Sequence, residues 1–381
     1  MKPRSITGRD ALTGKPLRIV IESDRIQSIS PGPEDETAWL AAGLIDLQVN
    51  GYGGCDLNAD TIDTDVVISL VQRLAATGVT TFAPTIITAP EEKIVRALRV
   101  IAQARDASSL AAHAIPFVHV EGPFISPEDG ARGAHRRDDI RPPSIAEFER
   151  WQAACGGLVG MVTFSPHWEN ALAFIDTLAA KGIHIALGHT HAAPERIHAA
   201  AAAGATLCTH LGNGIAAVLP RHPNPIWAQL AEDRLTATFI ADGHHLPADT
   251  LKAMLRAKTV PRSILVSDAT ALAGMPPGVY RAAIGGDVQL HADGSLKMIG
   301  PGLLAGAALP LKDGVANCAS SGICSLADAI RMSTENPGRL ADARGVLRPG
   351  AFADIIRFAL DTQSRQLMIE TVLIEGVEQQ G

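Results

Sequence analysis

The sequence predicts an α/β fold, namely a (β/α)8 TIM-type barrel with a small β-sandwich domain built from both chain termini. Two observations predict the barrel: short apolar runs recur eight times along the chain, and a helix-like stretch follows each run. Near-continuous apolar runs are typical of parallel strands that are buried on both faces. Eight strands that alternate with helices favour a closed barrel. The alternative is an open doubly wound sheet, but no GxGxxG motif follows the first strand.

The apolar runs give the order of the barrel elements. The predicted strands are 44–50, 80–87, 116–121, 159–165, 184–189, 205–211, 236–242 and 264–268. Between them, Ala- and Leu-rich amphipathic segments such as 64–77 and 170–181 predict helices, and Gly204 stands where a helix C-cap is expected. Residues 280–298 predict a hairpin insertion with Asp293-Gly294 as its turn.

The two ends of the chain have a different pattern. Residues 17–30 contain two strand-like runs around a Ser-Asp turn, and 353–358 and 366–377 are also strand-like. The alternative of two unrelated hairpins is disfavoured, because neither end has enough apolar surface to be stable alone and barrel termini usually lie close together. We therefore expect a small β domain of residues 1–43 and 346–381 beside a barrel of residues 44–345.

Bulk composition excludes several classes of protein. The net charge of -7 argues against nucleic-acid and anionic-membrane partners, which require a basic face. No apolar run reaches the ~18 residues that a membrane helix needs, and the start MKPRSITGRD lacks the apolar segment of a signal peptide. The five cysteines are scattered, with no CxxC pair, which indicates free thiols in a reducing compartment. We expect a cytoplasmic enzyme.

Polar residues collect at one end of the predicted strands, the end that builds active sites in barrels. One such residue would be explained most simply as a hydrogen-bonded core residue. A buried carboxylate or imidazole costs on the order of several kcal/mol unless it is paired or bound to a metal, so seven on one rim indicate a functional site. The seven are Gln48, Asn50, Glu121, His189, His210, Asp242 and Asp268.

Three of these residues predict a metal centre. Glu121, His189 and His210 have the composition of a catalytic zinc or iron site, which has three protein ligands and an open position for water. Such a cation lowers the pKa of bound water from about 15.7 to about 7. Asp268 is then the expected general base, taking the water's proton and returning it to a leaving nitrogen. The alternative for Asp268 is a helix N-cap, since Ser-Asp-Ala-Thr can begin a helix. We expect one divalent cation, Zn2+ first and Fe2+ as the alternative.

Seven segments carry a resemblance to a known family. They are GLIDLQVNGYGG (43–54), HVEGPFISPEDGARGAH (119–135), GHTHA (188–192), THLGNGI (209–215), ADGHH (241–245), VSDATALAG (266–274) and GLLAGAALPL (302–311). Through them the chain resembles the amidohydrolase superfamily over nearly its whole length. Many members have a His-x-His pair on the first strand and a carboxylated Lys on the fourth, whereas this chain has Gln48-x-Asn50 and no Lys within 159–166. The resemblance thus implies one metal, with Gln48 touching its water or marking a weak second site.

The resemblance also implies an activity and a set of substrate contacts. The activity is deacetylation of N-acetylglucosamine 6-phosphate to glucosamine 6-phosphate and acetate, by a homodimer. His135 would polarise the amide carbonyl or stabilise the oxyanion. Arg221 would be the main cation for the phosphate, because a guanidinium offers a rigid fork of donors; the alternative is a solvated surface arginine. The implied substrate-binding residues are Asn213, Gly214, Arg221, His245, Ala134 and Leu304.

Other functions remain open at the level of the sequence. The same machinery would serve N-acetylgalactosamine 6-phosphate, or a non-phosphorylated N-acyl compound if Arg221 points away from the substrate. A non-catalytic scaffold on the same barrel is a further alternative. It is disfavoured because such proteins normally lose metal ligands, whereas the three predicted ligands and Asp268 are all present.

Overall fold

A computed structural model describes residues 4–283, 286–300 and 302–379. In these residues the β-strands are β1 (Arg4–Asp10), β2 (Pro16–Glu22), β3 (Arg25–Pro31), β4 (Trp39–Ala42), β5 (Leu44–Val49), β6 (Gly51–Tyr52), β7 (Cys55–Asp56), β8 (Val79–Ile87), β9 (Val118–Glu121), β10 (Val159–Phe164), β11 (His184–Leu187), β12 (Leu207–Cys208), β13 (Thr236–Ile240), β14 (Ser263–Val266), β15 (Gly278–Ala282), β16 (Gly286–Leu290), β17 (Leu296–Met298), β18 (Ile355–Asp361), β19 (Gln366–Ile374) and β20 (Val377–Glu378).

Helices connect most of these strands. The α-helices are α1 (Thr64–Ala75), α2 (Glu91–Ala107), α3 (Ser109–Ala114), α4 (Ile145–Ala154), α5 (Ala171–Ala180), α6 (Pro194–Ala203), α7 (Pro225–Ala231), α8 (Ala248–Lys258), α9 (Leu311–Ser320), α10 (Leu326–Ser333) and α11 (Glu335–Gly338). Single 3-10 turns occupy Arg137–Asp139 and Val260–Arg262. None of the helices in the described ranges is long and apolar enough to cross a membrane.

The eight central strands form a parallel barrel, which confirms the predicted fold class. Their order is β5, β8, β9, β10, β11, β12, β13 and β14. The first and last strands meet through a parallel bridge between Val49 and Ala269, beside which the amide of Asp268 donates to the Gln48 carbonyl at 3.0 Å. Alternate strand residues such as Ile45, Met161 and Ile264 fill the interior. The other faces of the strands pack against the surrounding helices.

Both ends of the chain contribute to a second, mostly antiparallel sheet, as predicted. Its order is β20-β19-β18-β4-β1-β2-β3. The two ends join where β4 pairs with β18, with Ala42 opposite Ile355. Ile19, Leu40 and Leu373 lie in a separate apolar cluster under this sheet, so each terminus completes the core that the other lacks.

The insertion after the last barrel strand is a small antiparallel sheet of β15, β16 and β17. Strands β16 and β17 form the predicted hairpin, and Gly294 in its turn has φ 84°. Residues 284 and 285, within the predicted insertion, lie outside the described residues. The sheet stands on the carboxyl-end side of the barrel and leads into the segment that carries Leu304.

Candidate metal centre and active site

Four of the barrel strands end earlier than the sequence predicts, and this difference shapes the site. His189, His210 and Asp268 each lie two residues beyond the end of a barrel strand, and so does Asp242. The first three have left-handed backbones, with φ of 47°, 29° and 52°. This conformation is uncommon outside glycine and clusters at functional sites. The expectation that these residues end strands is therefore wrong, because the chain turns first and directs their side chains toward the barrel axis.

Local hydrogen bonds hold these turns in place. The backbone N–H of His210 donates to the Thr238 hydroxyl at 2.7 Å, so a side chain replaces the strand partner that the turn removes. In the same way the Asp268 amide is held by the Gln48 carbonyl. A strained backbone persists only where its surroundings fix it, and here neighbouring strands do so.

The three predicted ligands converge. Oε1 of Glu121 lies 2.9 Å from Nε2 of His210 and 3.3 Å from Nε2 of His189, and the three ligating atoms are all within 4.8 Å of one another. All three side chains are buried. The structure therefore brings together Glu121, His189 and His210 as the sequence predicts.

The chemistry of these atoms fits a divalent cation. Nδ1 of His189 donates to the carbonyl of Ala131 at 2.9 Å, because a carbonyl can only accept, and this bond turns Nε2 of the ring toward Oε1 of Glu121. Burial opposes the ionised Glu121, but hydrogen bonds from His189 and His210 outweigh it and hold the pKa of this carboxyl well below its usual range. Nitrogen and carboxylate donors that converge in this way suit zinc or iron.

Asp268 lies beside the metal centre and is tied to it by amides. Nε2 of Gln48 donates both to Oε1 of Glu121 at 3.0 Å and to Oδ1 of Asp268 at 3.1 Å. Nδ2 of Asn50 donates to the same Oδ1 at 2.8 Å. Burial, and then the charge of Glu121, raise the pKa of Asp268 to about 6. No helix begins here, so the N-cap alternative for Asp268 is excluded.

His135 faces the metal centre from the loop after β9. Its ring packs edge-on against His189 with centroids 4.4 Å apart, and Nδ1 is 2.9 Å from the hydroxyl of Thr88. Burial, and then the neighbouring His189, lower the pKa of His135 to about 3. The ring is therefore neutral at physiological pH and carries a single N–H.

A cavity of about 390 Å3 opens above these groups. Nearly all of the predicted substrate-binding residues line it. Besides Asn50 and the three predicted metal ligands, the predicted residues in its wall are Ala134, His135, Asn213, Gly214, His245, Asp268 and Leu304. Gln48 lies beneath the wall rather than in it, with its amide nitrogen engaged by the two carboxylates. Its predicted contact with water or a second metal stays a prediction.

His245 is positioned by Asp242, which was predicted as a residue of the functional rim but without a specific role. Oδ2 of Asp242 lies 2.7 Å from Nδ1 of His245, and Oδ1 accepts the backbone N–H groups of His244 and His245, both at 2.9 Å. The Asp-Gly-His-His run was the available signal, since an aspartate commonly caps the turn that follows it. Asn50 and Thr88 were likewise missed as contacts of Asp268 and His135.

Among the described residues, Arg221 is the predicted substrate-binding residue that the structure does not bring to the cavity. Its side chain is exposed, and it is absent from the wall formed by the described residues. Arg221 lies in the loop between β12 and α7, on the same rim of the barrel. Its role as the main phosphate cation stays a prediction.

Comparisons with known proteins agree with the fold and identify the family. Residues 39–378 match the model of the amidohydrolase family. N-acetylglucosamine-6-phosphate deacetylase of Bacillus subtilis (strain 168) is 31% identical over 85% of this chain and 81% of that protein. N-acetylgalactosamine-6-phosphate deacetylase of Escherichia coli O157:H7 is 33% identical over 92% of this chain and 91% of that protein.

Solved structures that superpose on this chain include enzymes of the same name as the first of these relatives. An Asp-to-Ala mutant of N-acetyl-D-glucosamine-6-phosphate deacetylase from Mycobacterium smegmatis, in complex with N-acetyl-D-glucosamine-6-phosphate, superposes with a TM-score of 0.86 at 29% identity, covering 98% of this chain and 99% of that one. The Thermotoga maritima enzyme of the same name has a TM-score of 0.84 at 25% identity, with 98% of both chains covered. The protein belongs to the amidohydrolase family, and the two curated relatives described above are named as deacetylases of N-acetylated amino-sugar phosphates.

Proposed function

We propose that the protein hydrolyses the acetamide of N-acetylglucosamine 6-phosphate to glucosamine 6-phosphate and acetate. One observation carries the proposal: the buried cluster of Glu121, His189 and His210 lies beside Asp268 at the base of a cavity. Three side chains that can bind a cation, next to a carboxyl group whose pKa is raised, support hydrolysis by an activated water. Relatives named as deacetylases of this substrate support the choice of bond.

The side chains have complementary roles in the proposed reaction. A divalent cation held by Glu121, His189 and His210 would polarise water and lower its pKa. Asp268 takes the proton of the attacking water and returns it to the amide nitrogen as the C–N bond breaks. The neutral ring of His135 donates its N–H to the carbonyl oxygen, where negative charge develops. Gln48 and Asn50 keep Asp268 in place for both proton transfers.

Phosphate recognition is proposed to involve Asn213, Gly214, His245 and Arg221. No lysine or arginine belongs to the cavity wall in the described part of the chain. His245 and Asn213 in the wall supply side-chain donors, and Arg221 lies farther along the loop that starts at Asn213. Ala134 and Leu304 would shape the walls around the sugar. Arg221 is our proposed main cation because its guanidinium suits phosphate oxygens.

The galactosamine epimer is the second candidate substrate. The relative from Escherichia coli O157:H7, named for N-acetylgalactosamine 6-phosphate, is 33% identical over 92% of this chain. The two sugars differ at one hydroxyl far from the acetamide chemistry, so the metal centre and Asp268 would serve either.

Four further features belong to the proposal. We propose zinc as the resident cation, which the nitrogen and carboxylate ligand set supports. The five cysteines are free thiols, which supports a reducing, cytoplasmic location. We propose a homodimer from the family resemblance. We also propose the domain division 1–43 with 346–381 and 44–345, supported by the break between β4 and β5.

The deciding experiment is acetate release from a panel of N-acetyl sugars by the metal-replete protein. The panel contains the glucosamine and galactosamine 6-phosphates and both sugars without phosphate. We expect turnover of the phosphorylated glucosamine compound, and a loss of its preference over the unphosphorylated sugar on Arg221→Ala. Arg234→Ala is the control, since Arg234 pairs with Glu232 at the end of α7. No acetate from any member of the panel would overturn the proposal.

A further inference from the structure

Asn50, a residue of the cavity wall, has an unused hydrogen-bond acceptor. The residue is 7% exposed and belongs to the cavity wall. Within the described chain, Oδ1 of Asn50 is buried and has no hydrogen-bond partner. A buried polar atom without a partner is destabilising, so this oxygen is suited to a donor that arrives with the ligand.

The orientation of this amide is fixed by its neighbour. Nδ2 of Asn50 lies 2.8 Å from Oδ1 of Asp268. An ionised carboxylate only accepts hydrogen bonds, so the NH2 group of the amide must be the one bound to Asp268, and the oxygen is left without this partner. The side chain cannot satisfy its oxygen by flipping without losing this bond.

The backbone of Asn50 is equally constrained. Its N–H donates to the Ala269 carbonyl at 2.8 Å, and its carbonyl accepts from the N–H of Leu57 at 3.0 Å. The next residue has no room for a side chain, because a Cβ on Gly51 would lie 2.2 Å from the Cys55 carbonyl oxygen. Asn50 is therefore held before any ligand binds, as a preorganised contact requires.

We propose that Oδ1 of Asn50 accepts the N–H of the scissile amide. This inference rests on the proposed deacetylation. A secondary amide has one N–H, and a dry site must provide an acceptor for it. The two polar atoms of the Asn50 amide are neighbours in one plane, so a nitrogen bound to Oδ1 lies next to the carboxylate bound to Nδ2. Asn50 thereby sets the amide nitrogen beside the group that protonates it.

The contact has a direct chemical consequence. Water oxygen bonds to the carbonyl carbon, the C–N bond breaks, and the nitrogen receives its proton from Asp268. Because Asn50 binds both the nitrogen and Asp268, the donor and the leaving atom are aligned when the bond breaks. An ester that carries oxygen in place of the N–H offers nothing to Oδ1, and the enzyme should discriminate against it.

The test is a cycle that combines an enzyme change with a substrate change. Acetate release is measured from N-acetylglucosamine 6-phosphate and from the acetyl ester in which oxygen replaces the nitrogen. Asn50→Ala should lower kcat/KM for the amide more than for the ester, by a further factor on the order of tenfold to a hundredfold. Asn50→Asp keeps an acceptor oxygen and should restore much of the amide-to-ester ratio, even though its overall rate falls.

Gln48→Met provides the matched control. Gln48 also donates to Asp268, but it lies outside the cavity wall, so its loss should lower the amide and ester rates by equal factors. Circular dichroism and metal content show whether each variant is folded and loaded. Equal losses for the two substrates in Asn50→Ala would overturn the inference while wild-type turnover of the amide still supports the proposed function. No turnover of the amide by wild type would instead reject the proposed function.

Discussion

Gly214 and His189 lie so close together that no side chain fits between them. A Cβ on Gly214 would lie 2.7 Å from Nδ1 and 3.0 Å from Cε1 of His189. The backbone of Gly214 is also left-handed, with φ 59°. The loop that forms one wall of the cavity therefore also fixes the orientation of a proposed metal ligand.

Gly214→Ala should weaken metal binding. The new methyl group would push the His189 ring away from its hydrogen bond to Ala131, and loss of such an orienting contact typically costs about 10- to 100-fold in metal affinity. Competition with a chromogenic chelator measures the affinity. Gly156→Ala is the control, because Gly156 has a similar φ of 64° with nothing within 4 Å of the added Cβ. Equal metal affinity in the two variants would contradict the prediction.

Asp268→Asn should abolish most activity without removing the metal. The amide keeps the shape of the carboxylate but cannot accept the proton of the attacking water, and loss of a general base costs on the order of 100- to 10,000-fold. We expect the metal content of the purified variant to equal that of wild type, since the ligand trio is intact. Asp242→Asn, which changes a carboxylate that positions His245, should raise KM more than it lowers kcat. Wild-type kcat in Asp268→Asn would exclude Asp268 as the base.

The barrel and the metal ligands could be predicted from the sequence because they follow local patterns. Apolar runs locate the strands, and Glu121, His189 and His210 stand at or just beyond the ends of those runs. The length of each strand could not be predicted, since the left-handed turn at His210 depends on the Thr238 hydroxyl of the next strand.

Contacts across the closed barrel could not be predicted from local sequence patterns. Gln48 bonds to Asp268, which is 220 residues away, because the first and last strands become neighbours only when the barrel closes. The position of Arg221 depends on the conformation of a long loop, and hydrophobic periodicity does not predict loop conformations. The acceptor role of Asn50 depends on which way its amide faces, and Asp268 decides that orientation.

Gln48→Met should move the acidic limb of the pH–rate profile to higher pH. A general base works only when it is unprotonated, so the rate rises as Asp268 ionises. A donor to a carboxylate stabilises its charged form and lowers its pKa; without Gln48 the pKa of Asp268 rises, by about one pH unit for one hydrogen bond to a charged group. The measurement is kcat/KM from pH 5 to 8. Gln229→Met, a buried glutamine that donates to Pro225 in α7, is the control and should leave the limb in place. If the acidic limb of the Gln48→Met profile lies at the same pH as that of wild type, Gln48 does not lower the pKa of Asp268.

Asp46, inside the barrel below Gln48, should make the fold less stable as pH rises. Burial raises the pKa of Asp46 to about 7, against hydrogen bonds from Ser267 and Gln48 that lower it. In the unfolded chain an aspartate ionises near about 3.9. Between about pH 4 and pH 7 the folded state therefore holds a proton that the unfolded state has lost. Its stability falls across this window, by at most ~1.4 kcal/mol per pH unit, and the effect levels off above it.

Asp46→Asn keeps an oxygen to accept the amides of Gln48 and Ser267 but cannot ionise, so its stability should lack this decline. Urea unfolding of chelator-treated wild type and variant at pH 5, 6 and 7 measures the difference, with the metal removed so that its own pH dependence does not contribute. The variant should gain stability relative to wild type at each step upward in pH. Asp106→Asn, at an exposed position of α2, makes the same change of charge and should differ from wild type by a constant amount. A constant difference for Asp46→Asn as well would show that Asp46 ionises alike in the folded and unfolded chain.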